Sequence, residues 1–498
     1  MDVLVRRYGT LVDVTVDGVN PTPRIIIDLL TQHLWYVHFV RRHGARQYDQ
    51  ISGRRDSVNI TNRNMYSFED GRLTTMYGFL PKIRRILSAA GHRVFYVDVS
   101  PVRPRPDCYV PDWDTVRRRI TFRPRQEECL QAMCDNECGI INAAPAFGKT
   151  FLFAAQALLY PRAKIAVVTA SVDVAKRIVN AMTAFIPNVG LVGGGSHTYG
   201  RVTVYTAHSL HCCDGDIDFL LADEAHQLMT GKLSARLGQV FRHSRNYAAT
   251  ACPGGRMDGA GALLEMLFGE EIFRLTYSDG VALELITPIR VRWLRADFQQ
   301  DPGVGRQGVP LMRWGIWRHD ARNRMIAEDF HTMYTDGQQV LFATATIEHA
   351  LRLWQYIPEA ELCFAGITGK EIARYQRMEL LPGDFVEMSA GRRDSIRAGI
   401  ENGSVRCAIV TDVFSTGVDF AGLQVVYRCD ARGSAILDTQ WPGRASRRFD
   451  GKLYAEVVDL TDDFNPSLKG KARTRRRHYR EQGFAQDWPT GRRQNSCV

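Results

Sequence analysis

The residues whose types and spacing could do chemistry begin with Gly139 to Thr150, GIINAAPAFGKT. Gly139, Ile140 and Ile141 read as the end of a buried strand. A loop of small residues, Ala143, Ala144, Pro145, Ala146, Phe147 and Gly148, then leads through Lys149 and Thr150 into the apolar helical run FLFAAQALL. Apart from Ala143 in the first glycine position, this is the pattern G-x-x-x-x-G-K-[ST]. Small residues there let backbone N–H groups turn inward around phosphate oxygens. The helix starting at Lys149 aims its positive dipole end at the same point. Lys149 would supply a mobile charge for the outer phosphates of a nucleotide, and the Thr150 hydroxyl a ligand for Mg²⁺. A Gly-Lys-Thr turn also arises by chance, so strand, loop and helix in this order carry the reading.

A second site is DFLLADEAH. Four mostly apolar residues, Phe219 to Ala222, end abruptly in Asp223 and Glu224. Adjacent carboxylates at the end of a buried strand are costly without a partner. A Mg²⁺–phosphate complex is such a partner, with Asp223 on the metal and Glu224 as base towards water. A third string, QWPGRASR, places Arg444 and Arg447 three apart, on one face of a helix if the helix continues. Arginines on a domain without its own phosphate loop suit charge stabilisation of a transition state.

The elements that must position these residues alternate along the chain. KIAVVTA, the helix SVDVAKRIVNAMTAF, RVTVYTA, DFLLADEAH and NYAATAC read as βαβ units of a mostly parallel sheet. Ligands of such sheets sit outside the carboxyl ends of the strands. A second set of strands and helices starts near Ile286. A Gly- and Trp-containing loop, DPGVGRQGVPLMRWGIWRHD, interrupts its opening. The expected fold is α/β, divided into a small α+β module over 1–115, a first domain over 116–285, a second over 286–468, and a basic tail over 469–498. PVRPRPDCYVPDW reads as a proline-rich linker after the module. The tail is expected to begin as a helix and fray.

Composition sets bounds on partners. Of 498 residues, 45% are hydrophobic and 24% charged, as in an ordinary globular protein, and the net charge of +10 favours an anionic polymer. No signal-peptide pattern opens the chain and no run of apolar residues is long enough to span a bilayer, so no membrane partner and a cytoplasmic location are expected. The eleven cysteines are scattered. Cys129, Cys134 and Cys138 cluster without a C-x-x-C pair or a nearby fourth ligand, so core packing is preferred over a metal site.

Taken in order, these strings resemble the superfamily 2 helicases in their DEAH-box form. The matching pieces are FRPRQ (Phe122 to Gln126), APAFGKT, VVTASVDVAKR, TAHSL (Thr206 to Leu210), DEAH (Asp223 to His226) and ATACPGGRMDG. VLFATATIEHA, TDVFSTGVDF and QWPGRASR complete the set in the second domain. The departures are Ala143, Cys252 in place of a second Thr or Ser, and one extra residue between Pro253 and Arg256. The amino-terminal FEDGRLTTMYGFLPKIRRILSAAGHRVFYVDV is similar to the module preceding the motor in UvsW-type phage helicases.

The resemblance implies two RecA-like lobes using ATP and Mg²⁺. It places Gln126 at the adenine, Arg123 on the nucleotide, the loop from Ala143 to Thr150 on the phosphates, and Thr150 and Asp223 on the metal. Glu224 would act on water; Gln440, Arg444 and Arg447 would act near the γ-phosphate, with Gly417 and Asp419 also on the nucleotide. Thr206, Ser209 and Thr416 would face a nucleic-acid backbone. The expected activity is an ATP-dependent DNA helicase or translocase that unwinds or branch-migrates single-stranded, forked or branched DNA in replication, recombination or repair, in the host cytoplasm of a phage. Arginines from Arg41 to Arg63 are candidates for duplex contact. The alternatives are an RNA helicase, a duplex translocase that separates no strands, and a nucleic-acid-binding scaffold without turnover.

Overall fold

The computed structural model of the chain describes residues 1–9, 11–16, 21–41, 58–69, 72–99, 106–241, 244–251, 261–334, 337–385, 387–412 and 420–489. Two compact units emerge, one of Met1–Ala143 with Gly148–Leu275, the other of Ala144–Phe147 with Thr276–Val498.

The first unit is built on an eight-stranded sheet. Its order is Ser196–Thr198, Gly190–Gly193, Val202–Thr206, Ile165–Thr169, Phe219–Asp223, Arg245–Thr250, Cys138–Ala143 and Glu271–Leu275. All pairings are parallel except that of the outermost Ser196–Thr198. Parallel strands need crossovers, and helices such as Lys149–Leu159 and Val172–Thr183 supply them. Ser171 and Thr230 cap their helices through their side-chain oxygens. The central strands Ile165–Thr169 and Phe219–Asp223 are buried along their whole length, which is why they read as continuous apolar runs.

The amino-terminal residues do not form a module held off by a linker. A five-stranded sheet, in the order Tyr66–Glu69, Arg72–Met76, Leu11–Val16, Asp2–Tyr8 and Arg93–Asp98, turns Val3, Val5, Val12, Val14 and Leu73 into a core. That core is continuous with Leu263, Leu264, Leu267 and Phe268 of the helix Ala262–Phe268. The turn Tyr77–Phe79 packs on this helix so closely that a Cβ on Gly78 would lie 2.3 Å from the Glu265 carbonyl oxygen. Arg7 pairs with Glu137, and its guanidinium sits 3.8 Å from the Tyr77 ring centre. Residues 106–113 also lie on the larger domain, with Cys108 buried and Tyr109 stacked at a tilt on Phe219. Shared apolar burial therefore ties the two parts together. Of the proposed linker, 101–105 lie outside the described residues, as do Arg42, Arg46, Arg54 and Arg55. Arg41 and Arg63 fall on a separate hairpin of Trp35–Arg41 with Val58–Asn64.

The second unit carries a seven-stranded sheet in the order Glu361–Cys363, Cys407–Val410, Gln339–Ala343, Leu423–Arg428, Ala455–Leu460, Ile289–Leu294 and Ala485–Asp487. Every pairing is parallel. Within the described residues, which end at 489, the stretch from 469 is an ordered helix and strand. Asn465 caps a helix, Pro466–Gln482, by accepting from the backbone of Ser467 and Leu468, and Gly483 ends it in a left-handed turn. Leu468, Ala472, Arg475 and Tyr479 face inward, and strand Ala485–Asp487 then joins the sheet. The Gly- and Trp-containing segment is also regular, with helix Gly308–Met312 continuing into a π turn over Arg313–Trp317.

Among the described residues no helix is long and apolar enough to cross a membrane, and no group of His, Cys, Asp and Glu forms a metal cluster. Cys129 lies in a helix core, as expected, whereas Cys138 opens a strand.

A chain starting at Asp112 should lose the cover over Leu263, Leu264, Leu267 and Phe268, and so melt early or aggregate. Gly78→Ala in the full chain should cost about 1–3 kcal/mol through overpacking at a backbone contact. Thermal melts of both variants beside the full chain test this; an unchanged melt for both would show that the amino-terminal sheet adds nothing to the stability of the domain.

Candidate nucleotide site and nucleic-acid motor

The strand Cys138–Ala143 ends at the carboxyl edge of the first sheet, and the helix Lys149–Leu159 begins one short loop later. Ala143 still pairs with Leu275 in the ladder, with extended backbone, so the position needs no glycine. The turn is made further on, at Ala146 (φ 64°) and Gly148 (φ 93°). Gly148 has two reasons to be glycine. Its backbone is left-handed, and a Cβ there would come within 2.5 Å of the Arg123 guanidinium and 2.9 Å of the Gln126 amide nitrogen. Arg123 and Gln126 thus lie against Gly148. Gln126 is fully buried, and its Oε1 accepts from the Arg123 backbone N–H at 2.9 Å.

Two strands away in the same sheet, Phe219–Asp223 ends at the same edge. Asp223 is buried, and Glu224 follows in a left-handed turn with φ 43°. Such a conformation costs a non-glycine residue of order 1 kcal/mol or more. It turns the Glu224 carboxylate towards Lys149, whose Nζ lies 3.1 Å from Oε1. Burial pushes the Asp223 carboxyl up to about 7, helped by the Glu224 charge and opposed by Lys149. The sequence motifs therefore converge in one place: Lys149, Asp223 and Glu224 stand together at the sheet edge, with Thr150 one residue beyond Lys149.

One contact was not read from the sequence. His226 shares a 2.9 Å hydrogen bond between its Nδ1 and Thr250 Oγ1, and the same nitrogen is 3.4 Å from Glu224 Oε2. It connects the turn after one strand to the end of the next. The spacing Glu224-x-His226 was its sole signal.

This geometry suits Mg²⁺ held with a phosphate. Two carboxylates and a hydroxyl cannot make a closed protein cage, and Mg²⁺ keeps waters and takes substrate phosphates instead. A buried Asp223 that resists ionisation is short of positive charge, which a divalent ion would supply.

Other expected site residues fall differently. Thr206 is buried and bonds Ser209 Oγ at 2.9 Å, so it braces its loop and offers no surface. In the second unit, Gln440 and buried Arg444 lie on the helix Ala435–Ala445. Arg447 does not share that helix. Ser446 is the cap, and the Arg447 backbone instead bridges Ile286, with Thr287 donating to the Arg447 carbonyl. Lys452 stops the helix by donating to the Ala445 and Arg447 carbonyls, and burial pushes its amine down to about 8. Arg447 is exposed. Thr416, Gly417, Asp419 and Cys252 lie outside the described residues.

No family model matches the chain. The probable helicase D10 of Escherichia phage T5 is 24% identical over 381 residues, covering 73% of this chain and 76% of that protein. Among solved structures, S. cerevisiae Dbp5, bound to RNA and ADP BeF3, aligns with 77% of this chain and 93% of its own at 13% identity, with a TM-score of 0.52. The chain resembles the superfamily 2 helicases. Its two sheets have the fold of RecA-like helicase lobes. The crystal structure of T4 UvsW aligns over 98% of this chain and 99% of its own, at 16% identity and a TM-score of 0.42.

The raised Asp223 carboxyl has a consequence for stability. A carboxyl whose folded value lies above its unfolded one opposes folding once pH exceeds the unfolded value, and fully so above about 7. Asp223→Asn should therefore stabilise the nucleotide-free protein at pH 8 by about 1–3 kcal/mol. The same change should remove the extra melting stability that Mg²⁺ and ATP confer together. Scanning fluorimetry with and without Mg²⁺–ATP reads both effects; a destabilised free protein would mean that Asp223 is a structural acid.

Proposed function

We propose that this chain is an ATP-driven helicase or translocase on nucleic acid. The observation that carries the reading is the Lys149–Glu224 pair beside buried Asp223, where the phosphate loop and the acidic strand end meet. Mg²⁺ with ATP supplies charge neutralisation and a polarised phosphate; Thr150 and Asp223 are the residues to hold the metal. Lys149 would leave Glu224 for the phosphates, and the Glu224 carboxylate so released would take a proton from the attacking water. Backbone N–H groups from Ala144 to Gly148 would hold phosphate oxygens, and Arg123 and Gln126 would flank the base. Gln440, Arg444 and Arg447 are proposed to bring charge to the transferred phosphate, with Gly417 and Asp419 on the nucleotide as well.

The substrate we infer is DNA, forked or branched, in phage replication, recombination or repair within the host cytoplasm. Support comes from the net charge of +10, from the likeness to a probable phage helicase, and from the UvsW-type pattern of the amino-terminal segment. The domain roles follow: duplex contact by the amino-terminal sheet and the arginines from Arg41 to Arg63, ATP on the first lobe, and a helicase-type second lobe.

Steady-state ATPase assays with single-stranded DNA, duplex, fork, four-way junction and RNA decide among these substrates. Forked DNA should stimulate most, and stronger stimulation by RNA would replace DNA as the track. Lys149→Ala should lower turnover by ~10³-fold or more. Glu224→Gln should bind ATP yet stall before hydrolysis, and near-normal turnover in either variant overturns the site.

A further inference from the structure

None of the residues assigned above to the nucleotide lies in the segment from Asp297 to His319. Its inner side is fixed, since Leu311, Ile316 and Trp317 pack with Ala431 and Leu468. A Cβ on Gly315 would stand 3.0 Å from Leu468. The π turn over Arg313–Trp317 inserts an extra residue into the helical register, a feature frequent at functional sites. With it, Ile316 and Trp317 turn inward and Trp314 stays 39% exposed. Val304 and Val309 are exposed in the same segment.

Arginines surround this ring. The guanidinium of Arg306 lies 5.4 Å from the Trp314 ring centre and that of Arg318 at 4.9 Å. Arg318 pairs with Glu348, which Arg352 approaches to 3.5 Å and Arg313 to 3.8 Å. One carboxylate cannot neutralise three guanidiniums. Arg306 donates to the Pro302 and Val304 carbonyls, which carry no net charge. Of the nearby acids, Asp297 pairs with Arg295 at 3.6 Å, while Asp301 accepts from the Gly303 N–H and the Asn465 amide and keeps its charge; Glu348 and Asp301 together still fall short of the four guanidiniums of Arg306, Arg313, Arg318 and Arg352. The patch is therefore net positive.

Its place in the fold is equally specific. Strand Ile289–Leu294 feeds this segment from its carboxyl end. Because the sheet is parallel, Thr344 to Thr346 and Thr411 leave from the same edge, where ligands of such sheets collect.

We propose that Trp314, flanked by Arg306 and Arg318, is a stacking contact for an unpaired base of single-stranded nucleic acid, whose phosphates the arginines neutralise. The proposal rests on the reading that nucleic acid is the track. Tryptophan and arginine also mark protein interfaces. The uncompensated positive charge at a ligand-gathering edge favours a polyanion with exposed bases.

The experiment titrates the full chain with an oligothymidylate strand and with a blunt DNA duplex, following tryptophan fluorescence and anisotropy. Trp314→Ala should weaken single-strand binding by about 5- to 100-fold, the usual worth of one stacked base, and leave duplex binding nearly unchanged. Trp314→Phe, which keeps a ring, should retain most of the affinity but lose part of the fluorescence quench. Arg306→Ala should reduce the salt dependence by about one unit of slope. Unchanged affinity in Trp314→Ala with an undiminished quench in Trp314→Phe overturns the proposal. If Trp314→Ala melts early, the quench and the Arg306→Ala slope decide it. Wild-type protein that hydrolyses ATP but binds no nucleic acid at any salt overturns the reading beneath it as well.

Discussion

Two neighbouring carboxylates at the dry end of a central strand need positive charge, and much of the first unit is arranged around that need. Asp223 is buried, Glu224 is bent into a left-handed turn, and Lys149 answers them at 3.1 Å. The pair neutralises one charge and leaves Asp223 poorly ionised. Such a site favours whatever delivers a divalent cation and anionic oxygens together, because each then satisfies the other. The parallel sheet makes the arrangement possible. It brings the ends of two strands, separated by one other, to a common edge, and the helix after one of them points its N-terminus there.

The second unit solves a different charge problem, deeper inside. Arg322, Arg428 and Arg475 are fully buried, and so are Asp430, Asp438, Asp459 and Asp462. Arg322 pairs with Asp462, Arg428 with Asp430 and Asp438, and Arg475 with Asp459 and Asp462. The arginine charges hold the Asp430 carboxyl well below the usual carboxylate range despite its burial. Buried pairs of this kind add little net stability, but losing one partner strands the other without solvent. They therefore fix geometry. Arg432 extends the set outward, binding Asp430 at 2.8 Å and Asp412 through both of its terminal nitrogens. Asp412 opens the stretch holding Thr416, Gly417 and Asp419, while Asp438 sits on the helix holding Gln440 and Arg444.

The parts of this architecture that local patterns encode were legible in the sequence. The phosphate loop, the acidic strand end and most strands of both sheets depend on neighbours a few residues away, and they stand where the pattern put them. What escaped depends on distant partners. The basic stretch from 469 looks solvated until Asp459 and Asp462 are seen beside Arg475. Arg444 and Arg447 share a face only while a helix persists, and Lys452 ends it at Ala445. The amino-terminal sheet reads as independent because nothing local reveals that Leu263, Leu264 and Phe268 need its cover. Edge strands as short as Glu361–Cys363 carry too few residues to show a period.

The position of strand Ile289–Leu294 bears on the order of events during synthesis. It lies between Ala455–Leu460 and Ala485–Asp487, both made long after it. Until those segments leave the ribosome, a strand with Ile289, Val291 and Trp293 on its inward side has no ladder on either edge. The second unit thus has high contact order by construction, and its sheet closes late. The first unit, complete at Leu275, can finish folding earlier. Translation speed through the region between them, and chaperones that shield an unpaired strand, would then set the yield of active protein more strongly than final stability does.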